Sequence, residues 1–524
     1  MKTVDVLDQL VANTKLRALD FLFLGFCYGI LMMRTWNLFY RSDHSRVNTR
    51  LSLFGILLAF IHLAMTVSGA SDCLDCFPAS CDLSCQVAYT TGLANDNALF
   101  AHRDVSLDPF YETPSNFSSY NVGNLIKWEN VDPAELSTSY WIPSGLSLTR
   151  FFYVSEDIDG KPLPATGYVL FPYTNPISPN ARHRIIVWAH GTAGFTPQCA
   201  PSNNKGLQYN WQAPFALAQE GYLVVAPDYA GLGSTIPTGF MYSAGILHAA
   251  DVSNALKAVR EAVETGVEQG IPSGITKEWM VMGHSEGGLT AWRTAEREAD
   301  ANKSIGGLIG AVAISPAIQT IDLIPELISR ANGGPLHEPF VPFMLRSIAR
   351  LFPTFDLKTY MTQKLIDLTD LATSSTGCLN VAIPLLNNLT LSDMYLNNAS
   401  FLSAPEVLEW KEKYAGQGPK PLGGPLFVLH GRDDTIIPWN HNDDVVRAHC
   451  DVFPFSQLMY YLLPSVDHDG ALVASHPVWT AWIKERFDGR YVGSACVYDD
   501  VVDAVGRFTS VEQVWGSMGV VDVQ

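Results

Sequence analysis

The stretch WMVMGHSEGGLTAW, residues 279–292, constrains the fold of this chain more than any other segment. A short apolar run suited to a buried parallel strand ends at a Gly-x-Ser-x-Gly pattern, and a helix-like sequence follows Ser285. A strand, a sharp turn and a helix are the context that a nucleophile elbow requires. Side chains at Gly283 and Gly287 would clash with the neighbouring strand or helix, so these glycines are expected on steric grounds. We therefore predict that Ser285 is a nucleophile.

Apolar runs alternate with helix-like segments on both sides of this motif. Strands are predicted at residues 148–155, 166–172, 184–191, 222–228, 307–316, 425–431 and 457–464. Helices are predicted at residues 211–221, 241–264, 440–450 and 470–487. This alternation predicts an α/β fold in which helices cover both faces of a mostly parallel sheet.

Two stretches depart from the alternation. Residues 71–140 are rich in turn-forming residues and begin with a cluster of cysteines, so we expect an irregular extension there. Residues 320–415 hold helical patterns separated by prolines, which predicts a helical cap inserted into the α/β core. The core then comprises residues 141–319 and 416–497, and residues 498–524 form a C-terminal tail.

Residues 1–70 carry two apolar segments, at 21–33 and 51–70, with arginines between them. The first segment is short for a membrane span. The positive-inside rule predicts that the arginine-containing stretch stays cytosolic and that the chain beyond residue 70 is exported. The second segment ends in Ser-Gly-Ala, which fits signal cleavage, and the alternative is a retained signal anchor. We expect a secreted protein or one anchored with its main domain on the extracytoplasmic side.

Cysteines and glycosylation sequons agree with export. Eight of the nine cysteines follow residue 70, and an oxidising compartment favours disulfides over zinc for the cluster Cys73, Cys76, Cys81 and Cys85. Cys199 could pair with Cys378, and Cys450 with Cys496, but the spacing leaves the connectivity open. N-glycosylation is predicted at four sequons, which are Asn116, Asn302, Asn388 and Asn398.

A serine nucleophile requires a histidine base and a carboxylate that orients it. In open α/β sheets such groups gather at the carboxyl ends of strands. His468 lies in the loop directly after a predicted strand, whereas the competing histidines lie on predicted helices, namely His441, His449 and His476. Asp433 and Asp434 both follow the strand at 425–431. Either aspartate gives the chain order serine, aspartate, histidine.

An oxyanion formed at Ser285 would need backbone N–H donors from two places. Glu286 follows the nucleophile and supplies one donor. Thr192 lies in the loop after the strand at 184–191 and supplies the other. His190 is expected to support this loop, and His284 is expected to be structural.

The motifs HGT, APDYAGLG, GHSEGG, AISPA, HGRDDTIIP and DHDG, followed by WIKERFDG, resemble the fungal secretory lipase family of α/β-hydrolases. The resemblance covers roughly residues 145–497. In the family pattern HG-x-x-D-x-x-[IV]-P the aspartate falls on Asp434, so the resemblance implies Asp434 rather than Asp433. It also implies a lipase or carboxylesterase with a helical lid and with no metal or organic cofactor.

The resemblance implies an acyl-enzyme mechanism with the triad Ser285, Asp434 and His468. Apolar residues of the insertion would line the acyl pocket or belong to the ordinary core, and they are Leu323, Ile324, Leu327, Phe343 and Leu345. A net charge of −18 argues against a nucleic-acid partner, so we expect a small-molecule or lipid ester substrate, with contact to a lipid interface, and a monomer. The alternatives are a serine exopeptidase on the same fold, a non-catalytic binding protein and a transesterase.

Overall fold

The computed structural model describes residues 77–178, 180–271, 273–374 and 376–500. The predicted targeting region, Cys73, Cys76 and the tail from residue 501 lie outside these ranges. Within them, no helix is both long enough and apolar enough to cross a membrane.

Ten strands of the described residues form one sheet in the order β1-β2-β3-β5-β4-β6-β7-β8-β9-β10. The strands are β1 (Leu125–Asn130), β2 (Leu146–Glu156), β3 (Pro162–Pro172), β4 (His183–Ala189), β5 (Leu223–Pro227), β6 (Ile275–His284), β7 (Leu308–Ile314), β8 (Leu426–Gly431), β9 (Leu458–Leu463) and β10 (Val497–Asp500). Every pairing from β5 through β10 is parallel, and the three antiparallel pairings lie at the β1 edge. The predicted α/β fold with a mostly parallel sheet is confirmed.

The helices connect these strands and cover the sheet. They are α1 (Leu83–Leu99), α2 (Pro133–Thr138), α3 (Pro214–Gln219), α4 (Gly245–Glu264), α5 (Glu286–Arg297), α6 (Ile324–Ala331), α7 (Val341–Leu351), α8 (Leu357–Tyr360), α9 (Gln363–Ser374), α10 (Leu379–Leu386), α11 (Leu391–Met394), α12 (Pro405–Lys413), α13 (Trp439–Val452), α14 (His468–Ala474) and α15 (His476–Phe487).

The sequence of strand β4 is apolar almost without interruption, and its burial explains why. Successive side chains of a strand point to opposite faces of the sheet. Ile185 and Val187 belong to one buried apolar cluster, whereas Ile186 and Trp188 belong to a second. Both faces of the strand are therefore covered, as is typical of a parallel sheet in an α/β protein.

The chain between β7 and β8 carries helices α6 to α12, and we call it the β7–β8 segment. Several of its helices begin at a proline, because the missing N–H of proline costs nothing in the first helical turn. Pro342 and Pro405 occupy this position in α7 and α12. These prolines thus mark the starts of helices, whereas Pro384 lies inside α10.

The prediction of an irregular extension at residues 71–140 is wrong for much of its length. It contains α1, β1 and α2. Helix α1 has no apolar stripe in its sequence, and Gly92 and Asp96 are its only fully buried residues. A Cβ at Gly92 would lie 2.1 Å from the carbonyl oxygen of Asn380, so α1 packs backbone to backbone against α10. Such a contact leaves no hydrophobic periodicity to detect.

The described chain contains three disulfides, and two of them join distant segments. Cys199 pairs with Cys378, and Cys450 pairs with Cys496, which are the pairs considered from the sequence. Cys81 pairs with Cys85 at the start of α1. The first of these bonds ties the loop after β4 to the β7–β8 segment.

Candidate active site

Ser285 occupies the sharp turn between β6 and α5. Its backbone has φ 58° and ψ −119°, a conformation that is rare for a residue with a side chain. The N–H of Ser285 donates a hydrogen bond to the carbonyl oxygen of Ile314, the last residue of the neighbouring strand β7. The surrounding strands therefore hold the serine in a strained position, and Ser285 is 8% exposed.

The two glycines of the motif permit a close approach of α5 to the sheet. A Cβ at Gly283 would lie 2.1 Å from the carbonyl oxygen of Gly287. A Cβ at Gly287 would lie 1.9 Å from the carbonyl oxygen of Ala189 on β4. Real side chains do not tolerate such distances, so the Gly-x-Ser-x-Gly spacing here has a steric cause.

His468 is the first residue of α14, directly after β9, and it pairs with the aspartate that follows β8. Its Nδ1 lies 2.8 Å from Oδ2 of Asp434. Oδ1 of Asp434 accepts the backbone N–H groups of Ile436 and Ile437 at 2.9 and 2.8 Å. Nε2 of His430 lies 3.1 Å from Oδ2 of the same carboxylate. Asp434 is thus fixed by contacts to both of its oxygens.

The electrostatics of this pair favour an ionised aspartate. Burial alone would raise the pKa of Asp434, but the charge of His468, with hydrogen bonds from His430 and His468, holds that pKa well below its ordinary value. Burial lowers the pKa of His468, and the negative charge of Asp434 outweighs it, so the pKa is raised. An ionised Asp434 accepts a hydrogen bond from Nδ1–H of His468, which leaves Nε2 free to act as a base. Asp433 is exposed.

The loop after β4 lies against the nucleophile. A Cβ at Gly191 would lie 3.3 Å from the Cβ of Ser285. The next residue, Thr192, is buried, and its carbonyl oxygen accepts a hydrogen bond of 2.7 Å from Nε2 of Gln208. Glu286 is the first residue of α5, where helix N–H groups are unpaired and the helix dipole favours negative charge.

His190 and His284 are buried and support their neighbours. Nε2 of His190 contacts the carbonyl oxygen of Asp228 at 3.2 Å, and burial lowers its pKa to about 4. Nε2 of His284 contacts the carbonyl oxygen of His468 at 3.0 Å, while Nδ1 lies 3.0 Å from the hydroxyl of Tyr209. Burial lowers the pKa of His284 to about 3, so its neutral Nε2–H donates to the backbone of the proposed base.

Sequence reasoning missed His430, Tyr209 and Tyr242. The hydroxyl of Tyr242 lies 3.0 Å from Oγ1 of Thr192. Tyr209 and Tyr242 contact partners that are adjacent to them only in the folded chain, so no sequence pattern marks them. His430 alone follows a signal, since it begins the HG pattern that precedes Asp434.

Ser285 and His468 line the same cleft. The other lining residues are Thr192, Tyr242, Ala317, Thr320, Leu323, Leu327, His337, Glu338, Pro339, Phe340, Val341, Met344, Ile436 and Ile437. The β7–β8 segment supplies most of the apolar ones. The structure brings Leu323 and Leu327 into the lining. Ile324, Phe343 and Leu345 are buried in the core instead, and Phe343 stacks on Phe195.

Among the described residues, ligand atoms of His284, His468 and Asp469 lie within 4.8 Å of one another. Both ring nitrogens of His284 and Nδ1 of His468 already take part in the hydrogen bonds given above. These side chains therefore lie together because they hold His468 in place.

The chain is similar in sequence to known proteins. The family model described as secretory lipase matches residues 201–495. The chain is 24% identical over 420 residues to Lipase 10 of Candida albicans, covering 75% of this chain and 83% of that protein. It is 22% identical over 424 residues to the secreted triacylglycerol lipase LIP3 of Malassezia globosa, covering 74% of this chain and 83% of that protein.

Two solved structures are similar in fold. Candida antarctica lipase A has a TM-score of 0.60 at 18% identity, covering 76% of this chain and 90% of its own. The rice cell wall degrading esterase LipA from Xanthomonas oryzae has a TM-score of 0.52 at 14% identity, covering 71% of this chain and 100% of its own. At these identities the similarity establishes the fold.

Proposed function

The chain belongs to the secretory lipase family of ester hydrolases, and on that premise we propose that it cleaves carboxylic esters through a Ser285-His468-Asp434 triad. One observation carries the assignment of residues. The strained serine lines the same cleft as a histidine whose Nδ1 lies 2.8 Å from a buried aspartate. Serine hydrolases need this set of groups, in which the aspartate fixes the tautomer of the base.

In the proposed first step, Oγ of Ser285 attacks the ester carbonyl carbon while Nε2 of His468 takes the hydroxyl proton. The carbonyl π electrons move to oxygen, and the backbone N–H groups of Thr192 and Glu286 stabilise that oxyanion. Asp434 accepts the hydrogen bond from Nδ1–H of His468 and stabilises the imidazolium. The oxyanion then reforms the carbonyl, the ester C–O bond breaks, and the departing alcohol takes the proton from His468.

Water completes the cycle by the same groups. His468 takes a proton from water as the water oxygen attacks the acyl-enzyme carbonyl. The second tetrahedral intermediate collapses, the bond to Ser285 breaks, and the serine oxygen recovers its proton from His468. The carboxylic acid leaves, and the enzyme returns to its starting protonation state.

The lining of the cleft supports a lipid ester as the substrate class. Leu323, Leu327 and Met344 present apolar side chains to the cleft that holds Ser285. Apolar pockets with a few converging polar groups are typical of small-molecule sites. We infer that residues 320–415 act as a cap over a core of residues 141–319 and 416–497. The relatives named as triacylglycerol lipases favour an acyl substrate of this kind.

We also propose an extracellular location with N-linked glycans. Relatives named as secreted lipases support export. All four sequon asparagines are exposed, and they are Asn116, Asn302, Asn388 and Asn398. Glycan mapping of the secreted protein by mass spectrometry, before and after enzymatic glycan removal, tests this proposal. Occupied sites among the four are expected, and unmodified peptides at all four would contradict it.

The functional test compares wild type with Ser285→Ala on p-nitrophenyl esters from acetate to palmitate and on emulsified triacylglycerol. A fluorophosphonate probe, which labels activated serines, is applied to both proteins. We expect the wild type to hydrolyse esters and to be labelled, and the variant to do neither. Labelling without hydrolysis of any ester would redirect the search to peptide substrates. The absence of both in folded wild type would refute an active serine enzyme.

A further inference from the structure

The side chain of Glu286 reaches a segment that the mechanism does not otherwise use. Glu286 is fully buried, and its Oε1 accepts the backbone N–H of Ser243 at 2.8 Å. Ser243 has a positive φ of 58°, so its backbone is held in a strained conformation. The adjacent Tyr242 places its hydroxyl 3.0 Å from Oγ1 of Thr192. A continuous series of contacts therefore runs from Glu286 through residues 242 and 243 to Thr192.

This series joins the two residues whose N–H groups form the proposed oxyanion hole. We propose that Glu286 is a positioning residue. Its carboxyl group sets the location of the Thr192 N–H donor relative to the backbone N–H of Glu286 itself. The inference rests on the proposed function, because it concerns the geometry of that oxyanion hole. To be effective, a donor nitrogen must lie roughly 2.7 to 3.1 Å from the developing oxyanion. Small shifts of the loop after β4 would therefore lower the rate.

The surroundings of the carboxyl group favour its neutral form. Oε2 of Glu286 is buried and has no hydrogen-bond partner among the described residues. The nearest basic group is His248 on α4, whose Nδ1 lies 3.8 Å from Oε1 and whose pKa burial lowers to about 3. The titratable groups on which a charge at Glu286 acts include Tyr209, Tyr229 and Tyr242, whose pKa values burial raises. No cation in the described residues therefore compensates an ionised carboxylate there.

The protonation state matters because the oxyanion would develop at the backbone N–H of the same residue. Burial raises the pKa of Glu286 to about 8, although the hydrogen bond from Ser243 opposes that rise. Below that pH the side chain is neutral and does not oppose the oxyanion. As pH rises through about 8, the carboxyl group ionises, and the residue that donates to the oxyanion then carries a negative charge. We expect kcat to fall on the alkaline side.

A second buried carboxyl group provides the matched control. Glu338 lines the same cleft, and burial raises its pKa to about 7. Its Oε1 accepts the N–H groups of Phe340 and Val341 at 2.9 and 2.8 Å, so it caps the start of α7. These hydrogen bonds do not reach the loop after β4, although the charge of Glu338 acts on Tyr242. Removing its charge therefore tests whether any buried carboxylate of the cleft produces the alkaline fall.

The experiment measures kcat and KM for a soluble ester, p-nitrophenyl butyrate, from about pH 6 to about pH 10. The full chain is used as wild type, Glu286→Gln, Glu286→Ala and Glu338→Gln. We expect Glu286→Gln to remove the alkaline fall and Glu338→Gln to retain it. Glu286→Ala should lower kcat by on the order of 10- to 100-fold with little change in KM, less than the loss of a whole donor.

Tyr242→Phe isolates the second contact in the series, because it removes only the hydroxyl that meets Thr192. It should lower kcat and leave the alkaline fall in place. The proposal is overturned if Glu286→Gln keeps the wild-type alkaline fall, if Glu338→Gln removes it, or if Tyr242→Phe has wild-type kcat. Should the Glu286 variants fail to fold, Tyr242→Phe still decides the positioning role. Failure of the proposed function is distinct, since wild type would then show no ester hydrolysis and no fluorophosphonate labelling.

Discussion

Replacing Asp434 by asparagine tests the assignment of the acid more sharply than deleting it would. Oδ1 of Asp434 accepts two backbone N–H groups, from Ile436 and Ile437. The amide oxygen of the introduced asparagine must take that position, since an NH₂ group cannot accept these hydrogen bonds. The NH₂ group then faces Nδ1 of His468. His468 must present a lone pair at Nδ1 and carry its proton on Nε2, which is the wrong tautomer for removing a proton from Ser285.

The expected loss follows from that tautomer. In a serine protease triad the same aspartate-to-asparagine change lowers kcat by about 10⁴-fold. This loss corresponds to about 5.4 kcal/mol of transition-state stabilisation. The geometry here is equivalent, because Nδ1 of His468 lies 2.8 Å from a carboxylate oxygen that is fully buried with it. We therefore expect Asp434→Asn to lower kcat by on the order of 10⁴-fold while KM changes little.

Asp433→Asn is the matched control, since the neighbouring aspartate is exposed. It should retain nearly full activity on p-nitrophenyl esters. The far-ultraviolet circular dichroism and the thermal unfolding midpoint of both variants establish that they are folded. A folded Asp434→Asn variant with more than roughly a tenth of wild-type kcat would refute the reasoning, and so would an equal loss in Asp433→Asn.

Further predictions concern stability and pH. Gly287→Ala places a Cβ 1.9 Å from a backbone carbonyl oxygen, so urea unfolding should show a loss of about 3 kcal/mol or more. Gly493→Ala, where no described atom lies within 4 Å of the new Cβ, should change stability by less than about 0.5 kcal/mol. The Cys450–Cys496 bond spans a sequence separation of 46, and replacing both cysteines by serine should lower the free energy of unfolding by about 2 to 4 kcal/mol. His468 acts as a base only when neutral, and Asp434 raises its pKa above 6.5 despite burial; kcat/KM should therefore fall as pH drops through a value above 6.5, and Asp434→Asn should move that fall to lower pH.

The sequence was most informative for residues whose position in the site follows from the order of the strands along the chain. Parallel strands put their carboxyl ends at one edge of a sheet, and β6, β7, β8 and β9 are consecutive neighbours in this one. Ser285 follows β6, Asp434 follows β8 and His468 follows β9, so the order of strands brings them to the same edge. The family resemblance and the α/β fold are confirmed, and the roles assigned to these three residues stay predictions that the variants above test.

Other parts of the site could not be predicted from the sequence. Tyr242 and Tyr209 act through contacts between segments that are far apart in the chain. Helix α1 escaped notice because it packs through Gly92 rather than through an apolar stripe. Some apolar residues of the β7–β8 segment line the cleft and others lie in the core. The sequence did not distinguish them, because helical spacing identifies a buried face but not which neighbour covers it.

The anchoring of the β7–β8 segment limits how the cleft can open. Cys378, at the start of α10, is bonded to Cys199 in the loop after β4. Phe343 of α7 stacks on Phe195 of the same loop, with ring centroids 3.4 Å apart. Swinging the whole segment outward as a rigid body would break the stack and drag the loop that holds Thr192 away from Ser285. Access to the cleft without loss of the oxyanion hole therefore requires a smaller movement. Residues 332–340 link α6 to α7, and Asn332, Gly333 and His337 are exposed and have positive φ, whereas Leu336 is buried and donates its N–H to the carbonyl oxygen of Leu389. A movement within this link therefore has to break that hydrogen bond or pivot on either side of it.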